Sequence, residues 1–240
     1  MGTEQRGHRS WQRGTQALLG LFLAAPCPLC QRPASQVICP ACARQIHQSQ
    51  LSTPLDTSYP GLPVLSWGRY EDVLRQALRQ LKYSDHPELA GWLGLELGQT
   101  WRQHPHTASI STPRPQVLVP IPLHASKLKQ RGFNQAERLA QGLGRAVQLP
   151  VVGEGLVRVQ ATQAQHGLGR EARQANLAQA FQVNPNDLET LRQKTVWLVD
   201  DIFTTGATAY AAAHTLRHGG ISVAGICTIA RAGTSWDAQS

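Results

Sequence analysis

The chain has 240 residues, a formal net charge of +8, 41% apolar and 16% charged residues. That length suits one α/β domain of ordinary size plus a small appendage, it permits a real core, and the composition excludes wholesale disorder. A basic surplus favours acidic partners, but it is spread along the chain, so solvated faces around an anionic small-molecule site account for it as well as a DNA-binding surface does.

Residues 1–14 are polar and basic and are expected to form a mobile N-terminus. Ala17 to Cys27 has the outline of a secretory or lipoprotein signal: a basic start, a short apolar core, small residues and then a cysteine. Pro26 stands where processing signals want a small non-proline residue, so the run is read as a short helix packing on the body of the protein. No other run is long enough to span a bilayer, and no membrane insertion is expected.

Cys27-Pro-Leu-Cys30 and Cys39-Pro-Ala-Cys42 are two Cys-x-x-Cys knuckles separated by eight residues. Each two-residue spacer lets both sulfurs of a pair reach one ion, which suits structural tetrahedral Zn²⁺. Two disulfides or redox pairs are the alternatives, and the lack of a signal sequence argues against disulfides. Cys227, inside the apolar run Ile221 to Ile229, reads as a buried core thiol. The expected organisation is a short helix and four-Cys zinc ribbon over residues 15–50, a Ser/Thr/Gln/Pro-rich linker over 51–63, a main domain over 64–233 and a frayed tail over 234–240.

The main domain opens with a strand at Val64 to Trp67. Tyr70, Val73, Leu74, Ala77, Leu78 and Leu81 then recur at helical spacing, in a helix ending Lys82-Tyr83. Lys82 reads equally as a cation complementing the helix dipole and as an anion-binding residue at the rim of a site. A second helix runs from Leu89 to about Trp101, burying Leu89, Trp92, Leu93 and Leu97, and His104 to Pro115 is a polar loop. Gln116 to Pro122 is a buried strand with a rigid exit, followed by a loop carrying Lys127, Lys129 and Arg131. Gly132-Phe-Asn134 leads from there into a helix with Ala136, Leu139, Ala140, Leu143 and Val147 inward. Clustered cations between a strand end and a helix start are well placed to neutralise pyrophosphate, though a basic surface loop has the same composition. Val151 to Val159 is strand-like, and the polar segment from Gln160 to Asn176 suits a mobile loop closing over a ligand, with His166 as readily a plain loop histidine as a catalytic one. Phe181 and Val183 resume a strand, and Asn184 to Gln193 is a turn-rich connection.

Thr195 to Ala213 is the most informative stretch. Val196 to Val199 is a short apolar strand, and Thr204-Thr-Gly-Ala-Thr208 is a small-residue loop feeding a helix with Ala209, Ala212, Ala213 and Leu216 on one face. Such a loop offers backbone N–H groups and the positive end of a helix dipole to an anion, with threonine hydroxyls as further donors. Asp200 and Asp201 sit at the end of the strand, the rim where ligands bind in a parallel sheet. Carboxylates repel a phosphate, so they need another partner, and vicinal sugar hydroxyls or Mg²⁺ would suit them.

This segment resembles the phosphoribosyl-pyrophosphate (PRPP) motif of type I phosphoribosyltransferases. The resemblance implies that Asp200 and Asp201 hold the ribose hydroxyls, with Mg²⁺ accompanying PRPP, and that Thr204, Thr205, Gly206, Ala207 and Thr208 hold the 5′-phosphate. Lys82, Arg131, Arg158 and Arg173 are the candidates for the pyrophosphate side. Together with the four-Cys knuckles, Leu81-Lys-Tyr83, Val119-Pro-Ile-Pro122, Arg131-Gly-Phe-Asn-Gln135, Arg158 with Thr162 and Gln165, and Arg173-x-x-Asn176 with Ala180-Phe181, the chain resembles the ComF family from Cys27 to Arg231. Gln160 departs from the pattern, since relatives often carry a cation there. The implied fold is α/β, a mostly parallel sheet with flanking helices of the type I phosphoribosyltransferase kind, preceded by a small zinc ribbon. The implied setting is cytoplasmic, in uptake of transforming DNA beside a helicase. Two functions follow: phosphoribosyl transfer to a nitrogenous acceptor with release of pyrophosphate, or a non-catalytic PRPP or nucleotide sensor that binds single-stranded DNA or a helicase. No side chain stands out as a general base, so the acceptor is not identified.

Overall fold

The structure, a computed structural model, describes residues 25–83, 86–104, 114–160 and 180–233. The short helix expected before the first cysteine, the ligand-closing loop with His166, Arg173 and Asn176, and the tail lie outside the described residues, as does most of the 104–115 loop.

The elements run α1 (Pro40–His47), β1 (Leu55–Asp56), β2 (Val64–Arg69), α2 (Asp72–Tyr83), α3 (Glu88–Gln103), β3 (Gln116–Pro120), α4 (Ala125–Arg131), α5 (Gln135–Val147), β4 (Leu156–Arg158), β5 (Phe181–Val183), α6 (Leu188–Arg192), β6 (Thr195–Phe203), α7 (Ala207–His218) and β7 (Ser222–Arg231). The main sheet has the order β1-β2-β7-β6-β3; β2, β7, β6 and β3 are parallel to their neighbours, and β1 is an antiparallel edge. The fold is therefore the expected α/β type with a mostly parallel sheet.

Because the sheet is covered on both faces, its strands read as continuous apolar runs rather than alternating ones. On one face Trp67, Trp197, Val199 and Cys227 pack against α2, α3 and α5, with Trp101 of α3 edge-on to Trp197 at 4.8 Å. On the other face Val196, Leu198, Val64 and Ile226 pack against Ala209, Ala212, Ala213 and Leu216 of α7. Helices α3 and α5 approach closely through glycines: a Cβ on Gly94 would lie 2.5 Å from the Leu139 carbonyl oxygen, and one on Gly98 would lie 2.3 Å from the Ala146 Cβ. Trp92, expected inward, is only partly buried and packs at the edge of this core.

The cysteine segment shares the first core: Cys27, Ile38, Cys39, Cys42 and Ile46 belong to the same buried cluster as Leu74 and Leu78 of α2. His47 at the end of α1 meets Glu96 of α3 at 3.0 Å and lies 5.8 Å, ring to ring, from Trp67.

Four segments differ from the sequence reading, one being 184–193, read as a turn-rich connection, which holds the five-residue helix α6. The stretch 51–63, read as a linker, supplies β1, because Leu55 and Asp56 pair with Leu65 and Val64. The basic stretch after Pro122, read as a loop, is the helix α4, capped by the His124 side chain accepting from the Ser126 N–H and ended by Gly132 at φ 82°. No residue of α4 is buried, so it has no apolar stripe by which periodicity could reveal it. Residues 151–159 are not one strand: Val151 forms an isolated parallel bridge to Leu118, a turn around Gly153 and Gly155 follows, and β4 pairs with β5 in a separate antiparallel ribbon. Among the described residues, no helix is long and apolar enough to cross a membrane.

Candidate sugar-phosphate site and cysteine cluster

Strand β6 is an interior strand between β7 and β3, apolar from Val196 to Val199, and places two acids, Asp200 and Asp201, where it nears the carboxyl rim. Register pairs Asp200 with Thr228 of β7, whose hydroxyl meets that of Ser66 at 2.9 Å. Ser66 sits between Leu65 and Trp67, both in the α2–α3 core, so by strand alternation Ser66, Thr228 and Asp200 face the α7 side. Asp201 turns the other way and pairs with the Nζ of Lys82 at the end of α2. Asp201 is only 4% exposed, whereas Asp200 is half-buried. The backbone N–H of Asp201 donates to Asp200 Oδ1 at 2.8 Å, fixing one oxygen of the outer acid.

Burial and the neighbouring Asp201 charge push the Asp200 carboxyl well above the ordinary Asp range, and the Asp201 N–H and Lys82 only partly counter this. Arg158, at the end of β4, lies on the same side: the Asp200 charge favours its guanidinium, while burial works more strongly the other way. Its guanidinium carbon stands 5.3 Å from the Phe181 ring centroid. Arg131 stacks 5.6 Å from the centroid of Tyr83, the residue after Lys82, and donates to the Gln135 side chain.

After Phe203 the chain turns into α7 through Thr204, Thr205 and Gly206. Gly206 has φ 77°, and a Cβ there would stand 2.7 Å from Phe203 Cζ, so this turn requires glycine on two counts. Thr204 and Thr205 are exposed, Ala207 and Thr208 partly so, and the first-turn N–H groups of α7 have no helical acceptor. The Ala207 N–H makes only a long contact to Thr205 Oγ1, 3.5 Å. The turn thus offers donors and a dipole end to an anion, beside an acid that can accept from hydroxyls.

The structure therefore collects Asp200, Asp201, residues 204–208, Lys82 and Arg158 around the carboxyl end of β6, with Arg131 reaching the rim through Tyr83. The second acid, however, faces Lys82 rather than solvent. Sequence reasoning missed two supports beneath the turn. Arg231 at the end of β7 forms a buried pair with Asp56 of β1 at 2.7 Å, and Tyr59 packs edge-on against Phe203 at 4.8 Å. Asp56 and Tyr59 lie in the stretch read as a linker, and nothing in its Ser/Pro-rich composition signals partners as remote as Arg231.

Cys27, Cys30, Cys39 and Cys42 are all unbridged, and their sulfurs lie within 4.8 Å of one another. Thiolates at about 2.3 Å from a tetrahedral zinc stand about 3.8 Å apart; Cys30 and Cys39 Sγ are 3.5 Å apart here. The Cys39 N–H points at Cys27 Sγ and the Cys42 N–H at Cys39 Sγ, both at 3.5 Å, as thiolate acceptors require. Burial opposes the charged form of Cys27, but N–H groups of Cys39, Leu29 and Cys30 outweigh it and bring the thiol down to about 6. Four sulfurs this close together, with backbone N–H groups pointing at two of them, fit a structural zinc ion. Cys227, by contrast, is a fully buried thiol pushed upward by burial, as expected of a core residue.

A model of the phosphoribosyl transferase domain matches residues 128–240. The DNA utilization protein YhgH of Salmonella typhi is 29% identical over 85% of this chain and 96% of its own length. Competence protein F of Haemophilus influenzae is 36% identical over 49% of this chain and 51% of its length. Competence protein ComFC of Bacillus subtilis is 27% identical over 81% of this chain and 72% of its length.

Proposed function

Starting from a chain that belongs to the ComF family of type I phosphoribosyltransferase-like proteins, we propose that the carboxyl end of β6 binds PRPP with Mg²⁺ and transfers its phosphoribosyl group to a nitrogenous acceptor. The observation that carries this reading is the acid pair at the strand end directly preceding a glycine-turned helix start. A diol acceptor and a phosphate cradle thereby stand a few residues apart. In this reading Thr204 to Thr208 receive the 5′-phosphate and the acids serve the ribose side. Mg²⁺ would supply charge neutralisation on the pyrophosphate, alongside Lys82, Arg131 and Arg158 and, outside the described residues, Arg173. The C1′–O bond to pyrophosphate breaks, a C1′–N bond forms, and the acceptor nitrogen loses its proton. With an oxocarbenium-like transition state, rate comes from positioning and from neutralising the leaving group. The cysteine cluster holds Zn²⁺ as a structural ion, and the protein works in the cytoplasm on incoming DNA.

A second reading is supported by α4. This helix buries none of its residues and displays Lys127, Lys129 and Arg131, a surface suited to phosphates of single-stranded DNA; a helicase would then be the partner and PRPP a sensed ligand. The relatives' names point to DNA handling. Pyrophosphate release from PRPP across a panel of nitrogenous bases separates the two. Turnover with one base establishes the enzyme; PRPP binding without turnover by any base leaves the sensor. Strand binding through α4 should weaken steeply with salt and with Lys127→Ala, Lys129→Ala, whereas unchanged, salt-insensitive binding excludes α4 as the contact.

A further inference from the structure

We infer that Asn134 is a positioning residue for the leaving-group side of the site: its side-chain amide ties together the two ends of the excursion that carries Arg131, and so sets where that cation stands at the carboxyl rim. This rests on the reading of the rim as a PRPP site and deepens it.

The chain leaves the sheet after Ile121, whose N–H still donates to the Val199 carbonyl oxygen at 2.8 Å, one residue before Asp200. Pro122 has no N–H with which to continue the pairing. The excursion then passes through α4 and Gly132 and returns at the start of α5. Its two feet stand in different cores: Ile121 is buried with the residues on the α7 side of the sheet, whereas Phe133 packs on the α2–α3 side. Between them α4 buries none of its residues, so packing does not fix its place.

Asn134 joins the two feet. It is 8% exposed, and both ends of its amide are used: Oδ1 accepts from the Ala136 N–H at 3.1 Å, and Nδ2 donates to the Ile121 carbonyl oxygen at 3.2 Å. The first bond caps α5; the second closes the base of the excursion. Doing both takes a donor and an acceptor on separate atoms. Aspartate lacks the donor, and serine has one oxygen for both tasks. The far end of α4 is located by Arg131, which stacks on Tyr83 and donates to Gln135. Tyr83 follows Lys82, which pairs with Asp201, so both ties lead back to the end of β6. With the base opened, Arg131 keeps its charge but loses its fixed position beside Val199 and Asp200. Neutralising a leaving group depends on a cation set in place beforehand.

Asn, Asp and Ser are similar as helix N-caps, so Asn134→Asp and Asn134→Ser keep α5 capped while giving up the tie to Ile121. The full zinc-loaded chain is titrated calorimetrically with Mg²⁺·pyrophosphate and, separately, with ribose 5-phosphate. Both variants should lose about 3- to 10-fold in pyrophosphate affinity, the worth of one neutral hydrogen bond. Ribose 5-phosphate, whose phosphate sits at the threonine turn, should stay within about 2-fold of wild type. Arg131→Ala should weaken pyrophosphate too, and adding Asn134→Ser to it should cost less than about 2-fold more, because Asn134 acts through Arg131. Amide exchange of α4 should quicken in Asn134→Ser while that of α5 stays unchanged. Unchanged pyrophosphate affinity in both variants, equal loss of both ligands, or full additivity with Arg131→Ala overturns the inference and leaves the PRPP site standing. Wild type that binds neither ligand overturns that site and the inference together.

Discussion

Asp200 is held in the folded protein at a cost. Its carboxyl is raised by burial and by the charge of Asp201, so the favourable contribution of its protonated form is fully present below the unfolded Asp value of about 3.9 and is lost as pH rises through the higher folded value. Asp200→Asn should therefore raise the unfolding midpoint at neutral pH, by about 2–4 °C for each kcal/mol relieved in a chain of this length. The gain should shrink toward zero near pH 4. Calorimetric scans of both proteins across that range check it; a variant less stable than wild type at pH 7 contradicts the account. The pair Arg231–Asp56 works in the opposite sense, because both groups are buried and satisfied by each other at 2.7 Å. Asp56→Ala removes the buried carboxylate that Arg231 faces and should cost about 3–5 kcal/mol, whereas the paired replacement Asp56→Leu, Arg231→Met should recover most of the loss. Denaturant titration of the single and paired variants measures both. At this scale the β6 acids and the threonine turn were legible because they are contiguous in sequence. The partners of Asp201 and Arg231 were not, since they come from α2 and β1, and local pattern carries no information about which remote residue closes an ion pair.

Among the elements, α3 and α5 show how closely small residues can bring two helices. Gly98→Leu forces a side chain into Ala146 and should destabilise the fold by at least the 1–3 kcal/mol typical of overpacking, about 1 kcal/mol being the least expected even if the helices part. Chemical denaturation is the direct measurement, and an unchanged midpoint would contradict the close contact. Helices with an apolar stripe, α2, α3 and α5, could be read from spacing alone. Helix α4 could not, because its evidence lies in its ends: the His124 cap and the left-handed Gly132 bound seven residues that bury nothing. Strand β1 escaped for a related reason, being two residues long in a stretch dominated by Ser, Thr and Pro. The ribbon of β4 and β5 was half visible: both strands were seen, but Gly153 and Gly155 were not recognised as the turn that separates Val151 from β4.

For the molecule as a whole, the cysteine segment is not a separately cored appendage. Cys27, Cys39, Cys42 and Ile46 lie in the same apolar cluster as α2 and the sheet. On the proposed reading of the cysteines as a structural zinc site, removing the ion with a chelator should therefore lower the unfolding temperature of the entire protein as one transition, rather than melt a small domain ahead of a large one. Differential scanning calorimetry of metal-loaded and chelated samples distinguishes the outcomes, two resolved peaks in the chelated protein being the contrary result. The α/β class and its parallel sheet were accessible from alternating strands and helices; the shared core was not, because composition marks where a segment is polar and says nothing about where its few apolar residues dock.

Helix α2 has the four-cysteine cluster against its flank and the acid pair at its tip. Near its middle the Gln76 side chain donates to the Leu29 carbonyl between the first two cysteines, at 3.3 Å, and at its last turn Lys82 grips Asp201. A strut fixed at one end transmits how firmly it is fixed to whatever it carries at the other. On the proposed reading of both sites, zinc occupancy and PRPP affinity should be linked, and linkage is reciprocal: if chelation weakens PRPP by some factor, saturating PRPP must tighten zinc by the same factor. Competing a zinc indicator dye against the protein with and without PRPP measures one side of that equality, and titrating PRPP with and without zinc measures the other. The cysteines would then set the sensitivity of a site with which they share no ligand.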